Sequence, residues 1–367
     1  MLRKKKYRKS LLILTCLLVI IGLLALISAS SIKGAEEYRD VFYYVKKQLL
    51  QGVLGGFFLM WLISVINYKI WQKFALVLFI LNIILVGLCF VSPFKYVINS
   101  SHRWFKLGPL VFQPSEFLKI TYILFLAQIL SKASPQKLQR IFGAPFLTFL
   151  FSLGSVGLLL GLQPSTGTFL ILACSATAMY LAAGLTLKQF VVLIMSASLL
   201  LGGLIIHSDY RLARIKGFFD TEEDPLGKGY QSRQALIGIG SGGLFGVGFG
   251  NSVQKFNYLP ASHTDAIFAI IAEETGLVGS FCLLVIYLLL ISLGFGLAKE
   301  IPNLFGKYVT IGLITGIGSQ AFINIAAMCK LMPITGIPLP FISYGSSALI
   351  TNLAEIGFLL NFSKNST

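Results

Sequence analysis

The sequence predicts an all-α, polytopic membrane protein with about ten transmembrane helices and one large extracytoplasmic loop between the seventh and the eighth. Three observations predict it. Of 367 residues, 56% are hydrophobic and only 12% charged, with a mean hydropathy of +0.81, and a soluble chain of this size could not hide that much apolar surface. Apolar runs of roughly 17–25 residues, each long enough to cross a bilayer as a helix, recur along the whole length. The alternating segments of about ten residues that mark an outer-membrane barrel do not occur.

The candidate spans are 11–29, 49–66, 74–92, 117–131, 144–162, 167–184, 189–206, 267–298, 307–329 and 346–362. The first follows the basic stretch MLRKKKYRK and has no convincing small-residue cleavage site after it, so it is expected to be an uncleaved helix. The eighth is too long for one crossing. It is expected to begin with a short dipping or interfacial piece, 267–275, before the true span. The whole chain, 1–367, reads as a single membrane domain.

Lys and Arg in the connections set the orientation. With the N-terminus inside, the inner segments collect the six basic residues of the tail, then Lys69, Lys73, Lys132, Lys137, Arg140, Lys188, Lys299, Lys307 and Lys364, against Glu300 alone. Ten spans then place both termini in the cytoplasm. The net charge of +16 is mainly a topology signal, with some attraction to anionic lipid, and does not point to nucleic acid. Cys16, Cys89, Cys174, Cys282 and Cys329 lie in or at the ends of apolar runs without close-spaced partners. They read as small core residues, not disulfides or metal ligands.

The loop at 207–266 breaks the pattern of short connections. A long loop in a compact protein is usually functional. Half of the 14 acids sit in it or just beyond it: Asp209, Asp220, Glu222, Glu223, Asp224, Asp265 and Glu273. Its stretch GIGSGGLFGVGFG (238–250) matches G-x-G-x-x-G, but no βαβ unit surrounds it and a dinucleotide site is excluded on context. It reads either as a glycine-rich turn permitting close backbone approach or, the favoured expectation, as a flexible or re-entrant segment lining the site.

Candidate chemistry lies at the outer face. Glu116 and Lys119 enter the fourth span behind Arg103 and Trp104. Ionisable groups in a span are costly and face a cavity or a partner, and the i, i+3 spacing also allows them to pair with each other. Arg211 and Arg214 lie at the outer end of the seventh span. With Arg103 and Lys119 they could form a cationic pocket for phosphate, and Arg214 could equally pair with the acidic run 220–224. Asp265 opens the eighth span, where it suits a helix N-cap or a general base. On a straight helix Glu273 would stand about 12 Å away, farther than the carboxylate pairs of hydrolytic glycosidases. Pro333, Pro338 and Pro340 forbid a regular helix over 332–347, so that stretch must line a cavity or be buried in protein. Glu355 is a further acid within a span, with Lys330 as one conceivable partner.

The stretches RWFKLGPLVFQPSEFLKI, QPSTGT, DPLGKGYQSRQALIGIGSGGLFGVGFGNSVQKFNYLP, HTDAIFAIIAEETGLVG and GIPLPFISYGSS together resemble the SEDS family, the shape, elongation, division and sporulation proteins of the FtsW/RodA/SpoVE type. The resemblance implies a peptidoglycan glycosyltransferase that polymerises lipid II outside the cytoplasmic membrane, in cell division or elongation, beside a class B penicillin-binding protein. It implies Asp265, in the motif Thr264–Asp265, as the catalytic acid-base residue. The resemblance also maps Arg103, Glu116 and Lys119 onto a motif of the family; with Thr264, and with Arg211 from the outer cationic pocket, they form the expected substrate-binding set for lipid II and polyprenyl-pyrophosphate-linked glycan. A divalent cation, Mg or Mn, could share the neutralisation of the pyrophosphate. The chain departs from the family pattern at Ser165, Ala261, Ala266 and Ser346. Two other classes compete with the enzyme: a transporter or flippase of lipid-linked precursor, and an inactive scaffold for a transpeptidase.

Overall fold

The structure is a computed structural model that describes residues 2–91, 95–98, 101–108, 110–163, 165–206, 212, 218 and 229–364. Ten helical runs of 18 residues or more stand among them. They are α1 (Leu2–Tyr38), α2 (Tyr43–Val65, with a π-helical segment at Gln48–Leu54), α3 (Tyr68–Leu88), α4 (Pro114–Lys132), α5 (Ala144–Leu162), α6 (Thr166–Ala183) and α7 (Leu187–Ile206). After the shorter α8 (Tyr230–Ser241) come α9 (Ile267–Glu300), α10 (Leu304–Met328) and α11 (Ser346–Lys364). Each expected span has its helix. Seven are apolar and long enough to cross a membrane by composition alone, and the chain is a multi-pass membrane protein.

Burial sorts the helices into two layers. α4, α10 and α11 form the inside, buried on nearly every face. α1, α2, α3, α5 and α7 surround them and expose one apolar stripe each, such as Ile13, Ile20 and Leu24 on α1 or Phe58 and Trp61 on α2. A helix that is apolar on its outward face has lipid as its solvent. Small residues bring the inner and outer layers together. A Cβ at Gly357 of α11 would stand 2.8 Å from the carbonyl oxygen of Met60, and one at Gly56 of α2 would stand 2.5 Å from Leu353. Such close backbone approach supplies the van der Waals contact that holds helices together in lipid.

Two features depart from a plain helical bundle. Between α3 and α4 lies a small antiparallel sheet, β1 (Lys95–Ile98), β2 (Ser101–Leu107) and β3 (Leu110–Phe112), in the order β1-β2-β3. Hydropathy gave no sign of it, because its strands are short and only half apolar. The second feature is a break in α9 at Gly276, whose φ of 66° and ψ of −164° are not helical. It separates 267–275 from the true span, at the place the excess length of the run required.

The helix order puts five connections at one end of the bundle: those after α1, α3, α5, α7 and α10. This loop end carries Arg103, Asp265, the first turns of α4 and the segment 329–345. The segment is non-helical, as its prolines demand, and buries itself in protein: Ile337, Leu339, Phe341 and Ile342 are each less than 5% exposed.

Candidate active site

The three carboxylates at the mouth of α9 have separate fates. Glu273 and Glu274 are buried and face the glycine-rich loop. Glu273 accepts from the Ser252 hydroxyl and from the amides of Val253 (3.0 Å) and Gln254 (3.4 Å). Glu274 accepts from the Ser28 hydroxyl and the Ser252 amide (3.4 Å), with the Lys255 ammonium 3.8 Å away. The backbone adds four rungs: Val247 and Gly248 donate to the carbonyls of Glu273 and Glu274, and Leu277 and Val278 donate to those of Gly243 and Leu244. The loop over 242–256 is therefore clamped to α9. This corrects the expectation of flexibility, while Leu244, Phe245 and Phe249 keep their apolar side chains exposed. The glycines serve close approach instead, since a Cβ at Gly242 would stand 2.2 Å from the Ala272 carbonyl oxygen. A Glu273 committed to three donors is also unavailable as a second catalytic acid.

Asp265 differs from both. It lies in the turn 261–266 that leads into α9 and is only half-buried. Ala261 takes φ of 57°, and its carbonyl accepts from the amides of Thr264 (3.0 Å) and Ala266 (3.2 Å), which folds the turn. The Thr264 hydroxyl donates to Asp265 Oδ1 at 2.9 Å. Asn324 of α10 donates through Nδ2 to the backbone carbonyl of Asp265 (2.7 Å) and to that of Ile337 (2.8 Å). One turn earlier, Gln320 donates to the Pro338 carbonyl at 2.9 Å and accepts from the Lys119 ammonium at 2.7 Å. Gln48 of α2 bonds both Ser343 and Gly345, and the Tyr344 amide donates to the His263 carbonyl at 3.0 Å. Side-chain amides on the helices thus satisfy the broken segment and fix the Asp265 turn against it.

Lys119 and Glu116 form the mutual pair that their spacing allows, at 2.9 Å. They are 2% and 4% exposed, so both lie inside the protein and not on the outer surface. Glu355 is within electrostatic reach of Lys119 and Glu116, and Lys119 takes the place of the Lys330 considered from sequence. Arg103 stands elsewhere at the loop end, on β2, where its Nε donates to the Gln163 carbonyl at 3.1 Å. Gln163 in turn donates to the Val86 carbonyl at 3.1 Å. Arg211 and Arg214 lie outside the described residues. Among the described residues no group of three or more His, Cys, Asp or Glu side chains could hold a metal ion. Sequence reasoning passed over Gln48, Gln163, Gln320 and Asn324. The available signal was Gln320 and Asn324, two amides four residues apart on one face of an apolar span.

His263 adds a pH-sensitive element beside Asp265. Its ring lies 4.8 Å from that of Tyr44 and 5.8 Å from that of Tyr344. Burial, reinforced by the nearby Lys33, pushes its pKa down to about 4 from 6.5. The folded protein therefore holds a neutral imidazole at neutral pH. As pH falls below 6.5 the unfolded chain takes up the proton first. Stability contributed by the neutral ring is present above pH 6.5 and is lost as pH falls toward 4. Thermal unfolding in detergent should show a decline of up to about 3 kcal/mol across that window. His263→Phe should remove that part of the decline. Equal pH slopes for the two proteins would refute the assignment.

Comparison with known proteins agrees along the full length. The family described as cell cycle protein, FtsW/RodA/SpoVE, matches residues 8–367. Stage V sporulation protein E of Bacillus subtilis is 38% identical over 359 residues, covering 97% of this chain and 96% of that one. The probable peptidoglycan glycosyltransferase FtsW of Coxiella burnetii is 36% identical over 359 residues, covering 96% and 95%. The crystal structure of the rod shape determining protein RodA of Thermus thermophilus superposes with a TM-score of 0.70 at 27% identity, over 97% and 96% of the two chains. A chain of a peptidoglycan synthase complex, solved for its structural coordination of polymerization and crosslinking, gives 0.79 at 27% identity, over 97% of each. On its sequence motifs, its fold and these matches, the chain belongs to the FtsW/RodA/SpoVE family.

Proposed function

We propose that this protein is a peptidoglycan glycosyltransferase that polymerises lipid II into glycan strands at the extracytoplasmic face of a bacterial inner membrane. The observation that carries the reading is Asp265: a half-buried carboxylate that accepts from the Thr264 hydroxyl, on a turn that Asn324 holds by the Asp265 backbone carbonyl, at the end of the bundle that also carries Arg103. The names of the relatives FtsW and of the synthase complex support it.

The acceptor 4-hydroxyl of lipid II attacks the anomeric carbon of a glycan carried on polyprenyl pyrophosphate. The new carbon–oxygen bond forms as the bond to the pyrophosphate breaks, so one displacement inverts the anomeric centre. A sugar hydroxyl is a weak nucleophile, and Asp265 accepts its proton as the bond forms. Negative charge grows on the departing pyrophosphate, and the fixed guanidinium of Arg103 stabilises it, with Arg211 as a second cation. Thr264 orients the Asp265 carboxylate. Glu116 and Lys119 act from beneath, through Gln320, on the segment that seats the Asp265 turn.

The loop end then faces outward and both termini lie in the cytoplasm, as the Lys and Arg distribution requires. A class B penicillin-binding protein would crosslink the strands, by analogy with the complex that couples polymerisation to crosslinking. The buried Glu116–Lys119–Glu355 cluster favours one competitor, a transporter with ionisable groups inside its spans. Purified protein in detergent separates the two, since transport has no meaning without a membrane. Incubated there with lipid II and its cognate transpeptidase, it should yield glycan polymer. Absence of polymer under conditions where a related enzyme is active would overturn the glycosyltransferase reading.

A further inference from the structure

The corner between α1 and α2 stands at the loop end of the bundle, and the reaction described above makes no use of it. Its backbone is tightly folded. Arg39 takes φ of 53°. The Asp40 amide donates to the Gly34 carbonyl at 3.2 Å, the Tyr43 amide donates to the Asp40 carbonyl at 3.1 Å, and Asp40 Oδ1 accepts from the Phe42 amide at 3.0 Å. The approach is close enough to need glycine at 34, where a Cβ would stand 2.7 Å from the Asp40 carbonyl oxygen. Tyr38, the last residue of α1, and Tyr43, the first of α2, are thereby brought face to face. Their ring centroids lie 3.6 Å apart, with the planes 6° from parallel.

This stacked pair is the outer end of an aromatic run that leads to the Asp265 turn. Tyr44 meets both rings edge-on, at 5.8 and 5.5 Å. It is buried, and its ring lies 4.8 Å from His263 and 5.1 Å from Tyr344. His263 is two residues from Asp265, and its carbonyl accepts from the Tyr344 amide. The run therefore starts beside Asp265 and surfaces at Tyr38, which is 47% exposed.

Tyrosines at the end of a span often mark the lipid interface. The polar groups around this pair point to another ligand. Glu36, Glu37 and Asp40 place three of the 14 acids within five residues, and a carboxylate gains nothing from anionic headgroups or from a pyrophosphate. Each acid is oriented by a partner. Asn257 donates to Glu36 at 3.0 Å, the Tyr44 hydroxyl to Glu37 at 2.6 Å, and Lys46 to Asp40 at 2.8 Å. An exposed aromatic ring beside fixed carboxylates suits a sugar. The negative face of the ring receives the C–H face of a pyranose, and the carboxylates accept from its hydroxyls.

We infer that the Tyr38–Tyr43 corner is a platform for the pyranose rings of the growing glycan, the sugars already joined on the far side of the bond being made. The inference rests on the glycosyltransferase reading and adds to it a subsite for the strand. Held there, the strand stays on the protein between one addition and the next. Strand length is then set by the ratio of extension to release, and a weakened platform acts on release.

The test has two arms. The first measures binding of chitotetraose, a lipid-free tetramer of β-linked N-acetylglucosamine, to the purified protein by calorimetry, independently of turnover. The second measures the initial rate of lipid II consumption in detergent and the length of the strands made. Tyr38→Ala and Tyr43→Ala should each weaken tetramer binding about tenfold and shorten the strands by a similar factor. Each should leave the initial rate within about twofold of wild type, since neither ring touches the reacting atoms. Tyr38→Phe keeps the ring and should retain both binding and strand length. Phe42→Ala removes a neighbouring ring, 49% exposed, that lies outside the stack, and should change neither. A wild-type protein that does not bind the tetramer overturns the platform, and so do wild-type strand lengths in Tyr38→Ala and Tyr43→Ala. Equal effects of Phe42→Ala and Tyr38→Ala would reveal an anchor at the membrane interface and overturn it as well. A wild-type protein that binds the tetramer but makes no polymer would instead refute the glycosyltransferase reading, and the role in strand length with it.

Discussion

Asp265→Asn is expected to abolish lipid II polymerisation by the purified protein while leaving its fold intact. Asn has nearly the same volume as Asp and keeps an oxygen at the Oδ1 position, so the 2.9 Å bond from Thr264 survives. The bond from Asn324 goes to the backbone carbonyl and is indifferent to the side chain. The substitution removes only the negative charge and the basicity. A positioned general base contributes about 10²–10⁴-fold, and the rate should fall by that factor. Unchanged thermal unfolding and detergent elution would confirm that the loss is chemical. Thr264→Val, which leaves the carboxylate but frees its orientation, should cost less, roughly tenfold. A polymerisation rate within a few-fold of wild type for Asp265→Asn would remove Asp265 from the role of base and leave the reaction without a proton acceptor among the groups described.

Hydropathy made the spans legible, because a run of about 20 apolar residues has few stable places other than a bilayer. It could not say which helices lie inside. The most enclosed ones, α4 and α11, are among the less apolar, since protein neighbours tolerate Gln, Asn and Glu where lipid does not. The break at Gly276 was legible as excess length. The direction of each carboxylate was not. Glu273 and Glu274 are adjacent to one another and close to Asp265 in sequence, yet their partners Ser252, Lys255 and Ser28 come from a distant loop and from α1. Only the folded chain shows that two of the three acids are structural. Similarly, Glu116 and Lys119 revealed their pairing by spacing, whereas Glu355 joins them from a helix more than two hundred residues later. Arg103 was visible as a cation, but the strand that carries it was not, because β1, β2 and β3 are held together mainly by pairing with each other and carry no hydrophobic period of their own.

The clamp at the head of α9 should be the most fragile part of the molecule, and Gly276→Ala should break it. Gly276 adopts φ of 66° and ψ of −164°, a region that only glycine occupies without strain, and an L-residue there costs about 1–3 kcal/mol. Space is a second obstacle. The new Cβ would stand 2.4 Å from the Gly246 amide nitrogen and 2.6 Å from the Leu244 carbonyl. Both are backbone atoms, so no rotamer change relieves the overlap. The rungs from Leu277 to Gly243 and from Val278 to Leu244, at 2.9 and 3.1 Å, would have to open. Opening them exposes Glu273 and Glu274 to the loss of their amide and hydroxyl donors, a penalty of about 1–3 kcal/mol for each buried group left unpaired. The combined cost approaches the whole net stability of an ordinary domain, about 5–15 kcal/mol. Gly240→Ala is the control: it lies on α8, a Cβ there meets nothing within 4 Å, and the exchange should be neutral or stabilising by up to about 1 kcal/mol. Thermal unfolding and limited proteolysis of the two variants should therefore diverge, with Gly276→Ala cleaved between 242 and 258 and Gly240→Ala protected. Because the Asp265 turn lies between the clamped loop and the head of α9, the released loop should take polymerisation activity with it. Wild-type stability in Gly276→Ala would mean that the loop is not held against α9 at all, and the separation of Asp265 from its two structural neighbours would lose its physical basis.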